Sequence, residues 1–283
     1  MKLRHDVLRF PEGKTKAFTM SYDDGVVQDK RLIALMKAHG VKGTFNLNSG
    51  AFGQVDQYSH LRVLHEKLPV EEIVSTYEGM EIATHAVTHP DLTAIPTNTV
   101  LYEILADRQA LEKLTGGLVR GHAYPFGTYD ERVIEALREA DVLYARTVKS
   151  THKFNIPEEF LAWHPTCHHE DEKLMELADE FLAMNKTGRP GIKVFYVWGH
   201  AYEFDNNDNW EIVETLLDKI SGQDDIWYAT NIEIAEYLEA AAQLQYSADG
   251  NLVRNPTNRT IWLNVLDREY VIHSGETVLI DRT

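Results

Sequence analysis

Ser21-Tyr22-Asp23-Asp24-Gly25 closes an apolar, β-favouring run, and His85-Ala86-Val87-Thr88-His89 follows further along the chain. Residues 17–22 read as a buried strand. Two adjacent carboxylates at its end are costly unless something positive holds them. Two imidazoles four residues apart can converge on one ion, and Asp with two His is an open ligand set suited to a catalytic divalent metal. The remaining carboxylate is then free to act as a base on the water that such an ion activates. The chemistry open to this set is metal-assisted hydrolysis.

Each piece has a plainer reading. Asp-Asp-Gly is a common turn with a left-handed glycine, and His-x3-His is a common surface pair. Zinc peptidases place the same His spacing on a helix but need Glu after the first His; here that position is Ala86. Pro90 disfavours helical geometry at His89, so a loop at a strand end fits better. A second cluster, His164-Pro165-Thr166-Cys167-His168-His169, carries enough imidazole and thiol to bind zinc by itself, or one of its histidines lines a substrate site.

The elements that must position these residues alternate between strand and helix. Strands are expected at 17–22, 42–47, 81–84, 118–124, 142–146, 160–164, 192–198 and 226–228. Helices are expected at 27–39, 69–77, 97–114, 130–139, 171–184, 210–220 and 232–244, with Gly116-Gly117 a strong stop. This is an α/β chain with parallel strands, and about seven strand–helix or strand–loop units suggest a barrel whose chemistry sits at the strands' C-terminal ends. Asp23, Asp24, His85, Pro125 and His200 all fall just after expected strands. Turn signals at 249–251, 255–258 and 274–276 separate short β-like runs, so residues 1–245 read as the barrel and 246–283 as a small antiparallel β extension.

The 283 residues, 43% of them hydrophobic, suffice for one large core. A formal charge of −16 argues against nucleic acid and against charge-driven attachment to anionic membranes. No apolar run approaches a membrane span. The N-terminus leads into no apolar signal core, and Cys167 is the sole cysteine, so a reducing cytoplasm is expected. A homo-oligomer is compatible with all of this.

The order strand-Asp-Asp-Gly, His-x3-His, Ala123-Tyr124-Pro125-Phe126-Gly127 and Val197-Trp198-Gly199-His200 resembles the NodB-homology polysaccharide deacetylases of carbohydrate esterase family 4. The likeness spans residues 15–240 and implies a distorted (β/α)7 barrel of the NodB type. It implies Asp23 as general base, Asp24, His85 and His89 as metal ligands, and His200 as general acid. It also implies the Phe126 N–H as oxyanion donor, with Tyr124 and Pro125 shaping the groove. The family's Arg-Pro-Pro-Tyr is Ala-Tyr-Pro-Phe here, so the arginine that holds the catalytic Asp in many members is replaced by Ala123; Arg120 is a candidate substitute. Trp163 is the candidate sugar-stacking residue, with a core role equally open.

The resulting expectation is a metal-dependent hydrolase removing an N- or O-acetyl group from a carbohydrate. Zinc is the first choice of metal, and cobalt, nickel or manganese suit the same N/O site. One rival is a cytoplasmic amidohydrolase opening a small cyclic amide or ureide, which an enclosed pocket would favour. The other is a non-catalytic carbohydrate-binding barrel, against which the retention of Asp23 speaks. The 50–68 segment, with Phe52, Tyr58 and His60, reads as a substrate-covering loop or an irregular insertion.

Overall fold

The computed structural model describes residues 7–184 and 191–281. Residues 1–6, on which the reading of the N-terminus rests, lie outside them. Eight parallel strands form the main sheet: β1 (Lys16–Asp23), β2 (Gly43–Leu47), β3 (Glu81–Thr84), β4 (Gly121–Ala123), β5 (Tyr144–Arg146), β6 (Cys167–His168), β7 (Lys193–Gly199) and β8 (Ile226–Tyr228). Seven of them run in the order β5-β4-β3-β2-β1-β7-β6, and β8 pairs with the first half of β1. Helices α1 (Asp29–Ala38), α2 (Val70–Thr76), α3 (Thr97–Thr115), α4 (Glu131–Glu139), α5 (Leu174–Ala183), α6 (Tyr202–Asn207), α7 (Glu211–Ile220) and α8 (Asn231–Ala242) fill the connections. The architecture is a distorted (β/α)7 barrel.

Strand β1 is the axis of the arrangement and is buried at every position. Side chains alternate across a strand. Phe18, Met20 and Tyr22 pack outward in the same core as Leu32 and Met36 of α1 and Val213 and Leu217 of α7. Thr19, Ser21 and Asp23 therefore face inward, into a polar barrel interior. The Thr19 hydroxyl donates to Asn231 Oδ1 at 2.8 Å, and Asn46 Nδ2 donates to Ser21 Oγ at 2.8 Å. Glu81 accepts from Thr44 (2.7 Å), Tyr144 (2.6 Å) and the Ile232 N–H (2.9 Å). The same alternation delivers the Asp23 carboxylate to the mouth of the barrel.

Residues 160–164 depart from the expected strand. The Glu159 side chain accepts from the Leu161 N–H at 2.9 Å and starts a 3-10 turn over Phe160–Ala162, leaving Trp163 as a single parallel bridge to Arg146. The strand position beside β7 is taken by β6 instead. Helix α6, six residues of mixed polarity, has no periodic signal in the sequence. The 50–68 segment folds as a hairpin, pairing Val55–Asp56 with His65–Glu66.

Beyond α8 the strands are antiparallel. Leu252–Arg254 lies between Gln245–Tyr246 and Thr277–Leu279, and Ile261–Val265 lies between Arg268–Ile272 and the early strand Leu8–Arg9. Leu8, Ile261, Leu263 and Ile272 share one core with Trp163, Tyr196 and Leu238 of the barrel. Among the described residues no helix is long and apolar enough to cross a membrane.

Candidate active site

The inward-facing end of β1 is the anchor of the site. Asn46 Nδ2, from β2, donates to Asp23 Oδ1 at 2.7 Å, and the Arg146 guanidinium pairs with Oδ2. Burial alone would raise the Asp23 pKa, but Arg146, His85 and His200 outweigh it and hold the carboxyl below its ordinary value. His85 Nε2 and His200 Nε2 each lie 3.8 Å from Asp23 Oδ2, so three strand ends converge on one spot.

The chain then turns through Asp24 at φ 79°, which swings its carboxylate toward the histidine loop. A carboxylate oxygen of Asp24 and a ring nitrogen from each of His85 and His89 lie within 4.8 Å of one another. His85 is fixed from behind. Its Nδ1–H donates to the Ala123 carbonyl at 2.7 Å, an assignment from hydrogen bonding that leaves the Nε2 lone pair free as a ligand. Helix α3 holds the rest of the loop. Asp107 accepts from the His85 N–H at 3.0 Å, and Glu103 accepts from the Thr88 N–H and hydroxyl, both at 2.8 Å. His89 packs edge-on between His85 and Phe126, each at 4.6 Å. This donor set, with one tautomer already selected, fits a divalent cation.

Backbone strain gathers here. Asp24, Ala86, His89 and Phe126 are four of the ten described non-glycine residues with positive φ, and all four lie in the loops around this one site. Such conformations cost about 1–3 kcal/mol each and persist where the surroundings enforce them.

The arginine missing at position 123 is supplied from the next strand. Arg120 does not serve: its guanidinium turns to the surface and pairs with Asp141 at 3.1 Å. Arg146 is fully buried, and in the β4–β5 register it stands directly beside Ala123. The small Ala123 side chain leaves room for the Arg146 guanidinium to cross to Asp23. Trp198 covers its other face, 4.5 Å from the ring centre.

His200 follows β7. Its N–H donates to Glu203 Oε2 at 2.9 Å, and its Nδ1 lies 3.2 Å from Oε1. Burial disfavours the imidazolium, but Glu203, Asp23 and Asp24 more than compensate, and its pKa is pushed up to about 9. The imidazolium form of His200 is thereby favoured, with Nε2 turned to Asp23.

The histidine–cysteine cluster does not converge as a set: His168 and His169 come together with Glu170, without His164 or Cys167. Cys167 is buried in the barrel core, His164 Nδ1 pairs with the Thr147 hydroxyl at 2.6 Å, and His169 is sandwiched between Tyr22 and Phe204. His168 approaches His200 and Glu203, but its Nδ1 accepts the Glu170 N–H at 3.1 Å. Its proton therefore sits on Nε2, which faces Glu203 at 3.2 Å. That tautomer serves a carboxylate and not a cation. A Cβ added at Gly199 would lie 2.0 Å from His169 Nδ1, inside the stack beneath His200. Gly199→Ala is expected to lose about 1–3 kcal/mol of stability, as overpacked cores do, and urea unfolding measures it.

Trp163 is a core residue, 1% exposed and edge-on to Tyr144, Phe160 and Tyr196, so it does not line the groove. Trp198 lines the mouth in its place. Tyr124 is buried, with its hydroxyl donating to the Leu161 carbonyl at 2.6 Å, and Pro125 is buried beside it. Phe126 stands 63% exposed at the rim. The cavity measures about 800 Å³ and is bounded by Asp23, Asp24, His85, His89, Phe126, Trp198 and His200. The hairpin adds Tyr58, His65 and Lys67 to its wall, and Tyr202 adds the other side.

Residues 11–145 match the family model described as polysaccharide deacetylase. Arg146, Trp163 and His200 lie beyond the matched segment. No curated protein matches the chain. Among solved structures, a candidate polysaccharide deacetylase from Mycobacterium smegmatis is 19% identical with a TM-score of 0.59, covering 83% of this chain and 93% of that one. A mutant of a CE4 family pseudoenzyme from Bacillus anthracis is 17% identical with a TM-score of 0.50, covering 80% and 68%. A Streptococcus pyogenes deacetylase in complex with acetate is 19% identical with a TM-score of 0.43; 51% of this chain aligns, over only 61% of that protein's length.

Proposed function

We propose, from the premise that this chain belongs to the NodB-homology polysaccharide deacetylase family through residues 11–145, that it hydrolyses an acetyl group from a small acetylated sugar or related amide. The observation carrying this reading is the convergence on Asp23, held by Asn46 and Arg146, of His85 Nε2 and His200 Nε2, each 3.8 Å from its Oδ2. A divalent cation, with zinc the first choice, would be held by Asp24, His85 and His89 and would supply Lewis acidity, polarising the acyl carbonyl and acidifying water.

Asp23, aimed by Asn46 and Arg146, takes the proton of the attacking water. The Phe126 N–H, presented at the rim by a left-handed turn, is the proposed donor to the developing oxyanion. His200 gives its Nε2 proton to the departing amine or alcohol, and Glu203 stabilises the imidazolium until then. The alkaline limb of the rate should accordingly track His200. Glu203→Gln removes the charge that raises it, so that limb is expected to move to lower pH, read from kcat/KM against pH.

The hairpin and α6 meet beside the cavity. The Arg62 N–H donates to Asn206 Oδ1 at 2.6 Å, and the His65 ring sits 5.0 Å from Tyr202. This contact supports a short substrate over the middle of a long polymer. It also favours, as a second reading, ring opening of a cyclic amide or ureide by the same residues. Acetate release from chito-oligosaccharides and acetylxylan, assayed beside ring opening of ureides and cyclic imides, decides between them. Turnover of long polymer with none of the small compounds refutes the short-substrate reading.

A further inference from the structure

Asp24 has more positive company than a metal ligand needs. Lys67 Nζ lies 3.3 Å from Asp24 Oδ1, and His65 Nε2 lies 3.0 Å from Oδ2. Both come from the second arm of the 50–68 hairpin, and both are buried. The two donors differ in kind. A histidine N–H on a ligating carboxylate orients it. An ammonium brings a full charge to the place where a cation must sit, in surroundings that screen it poorly. Lys67 is also held in place, since its Nζ donates to Asn48 Oδ1 at 2.8 Å while Asn48 Nδ2 donates to the Ala86 carbonyl at 2.9 Å. The ammonium is thereby tied to the histidine loop itself.

We infer that Lys67 is an internal competitor of the divalent cation at Asp24, so that the hairpin lowers the metal affinity of the site. The inference rests on the reading that Asp24, His85 and His89 hold that cation. Removing the charge leaves Asp24 still oriented by His65, so the ligand set survives while the repulsion goes. Lys67 thus acts through its charge beside Asp24, and its effect is on metal binding.

Zinc affinity is measured for the full chain by competition with a chromophoric chelator, with thermal unfolding confirming that each variant folds. Lys67→Met is expected to bind zinc more tightly by about tenfold or more, the size usual for partners of metal ligands. Lys67→Gln, which keeps a donor for Asn48, is expected to do the same and stands in if the Met variant does not fold. Lys67→Arg, which keeps the charge, is expected to stay close to wild type. Affinity unchanged or weakened in both neutral variants overturns the inference. Wild-type protein that binds no zinc, together with neutral variants that bind none, overturns the metal-site reading instead.

Discussion

Asp23→Asn is expected to abolish acetate release while leaving metal content unchanged, whereas His85→Ala is expected to lose both. Asn cannot take a proton in place of the carboxylate whose two oxygens Asn46 and Arg146 now hold. The loss of a general base costs roughly 10²–10⁴ in rate. His85 contributes differently: its Nδ1–H is committed to the Ala123 carbonyl, and its Nε2 is the ligand atom that the mutation deletes. Elemental analysis alongside turnover separates the two roles. Near-normal rates in Asp23→Asn would remove Asp23 from the chemistry.

Arg146→Met is expected to damage both stability and rate. It leaves Asp23 buried without its cation, and breaking a buried pair on one side costs about 3–5 kcal/mol. Burial then raises the Asp23 pKa unopposed by its largest counter-charge, so the acid limb of the rate profile should move to higher pH. The register offers a rescue. Position 123 lies beside position 146, so Ala123→Arg combined with Arg146→Ala returns a guanidinium to Asp23 from the adjacent strand. The double variant is expected to recover part of the rate lost in Arg146→Ala. Near-normal rates in both Arg146→Met and Arg146→Ala would mean that Arg146 does not hold the base.

The residues that the sequence makes legible are those whose meaning is local. Asp23 and Asp24 end an uninterrupted β-favouring run, His85 and His89 flank a Pro-stopped loop, and His200 follows an apolar strand; each can be read without knowing which strand lies next to which. Arg146 also ends a strand, yet its role depends on the β4–β5 register and on Ala123 being small, neither of which one sequence reveals. Trp163 and Trp198 illustrate the same limit. Both end apolar segments; the 3-10 turn at Phe160–Ala162 precedes the first, which lies in the core, while the second stands near the end of β7 at the mouth. His65 and Lys67 were hidden in a segment legible as a covering loop, because a short hairpin with polar strands carries little periodic signal. One partner of Ile261–Val265 lies at Leu8–Arg9, a pairing across nearly the whole chain that local pattern cannot convey.

The proposed chemistry depends on one cation site at the strand ends, beside Asp23. Anomalous scattering from crystals of zinc-loaded protein locates that site. A single strong peak bounded by Asp24, His85 and His89 is the expected result. A peak only at His164, Cys167 and His168, with none beside Asp24, would contradict it.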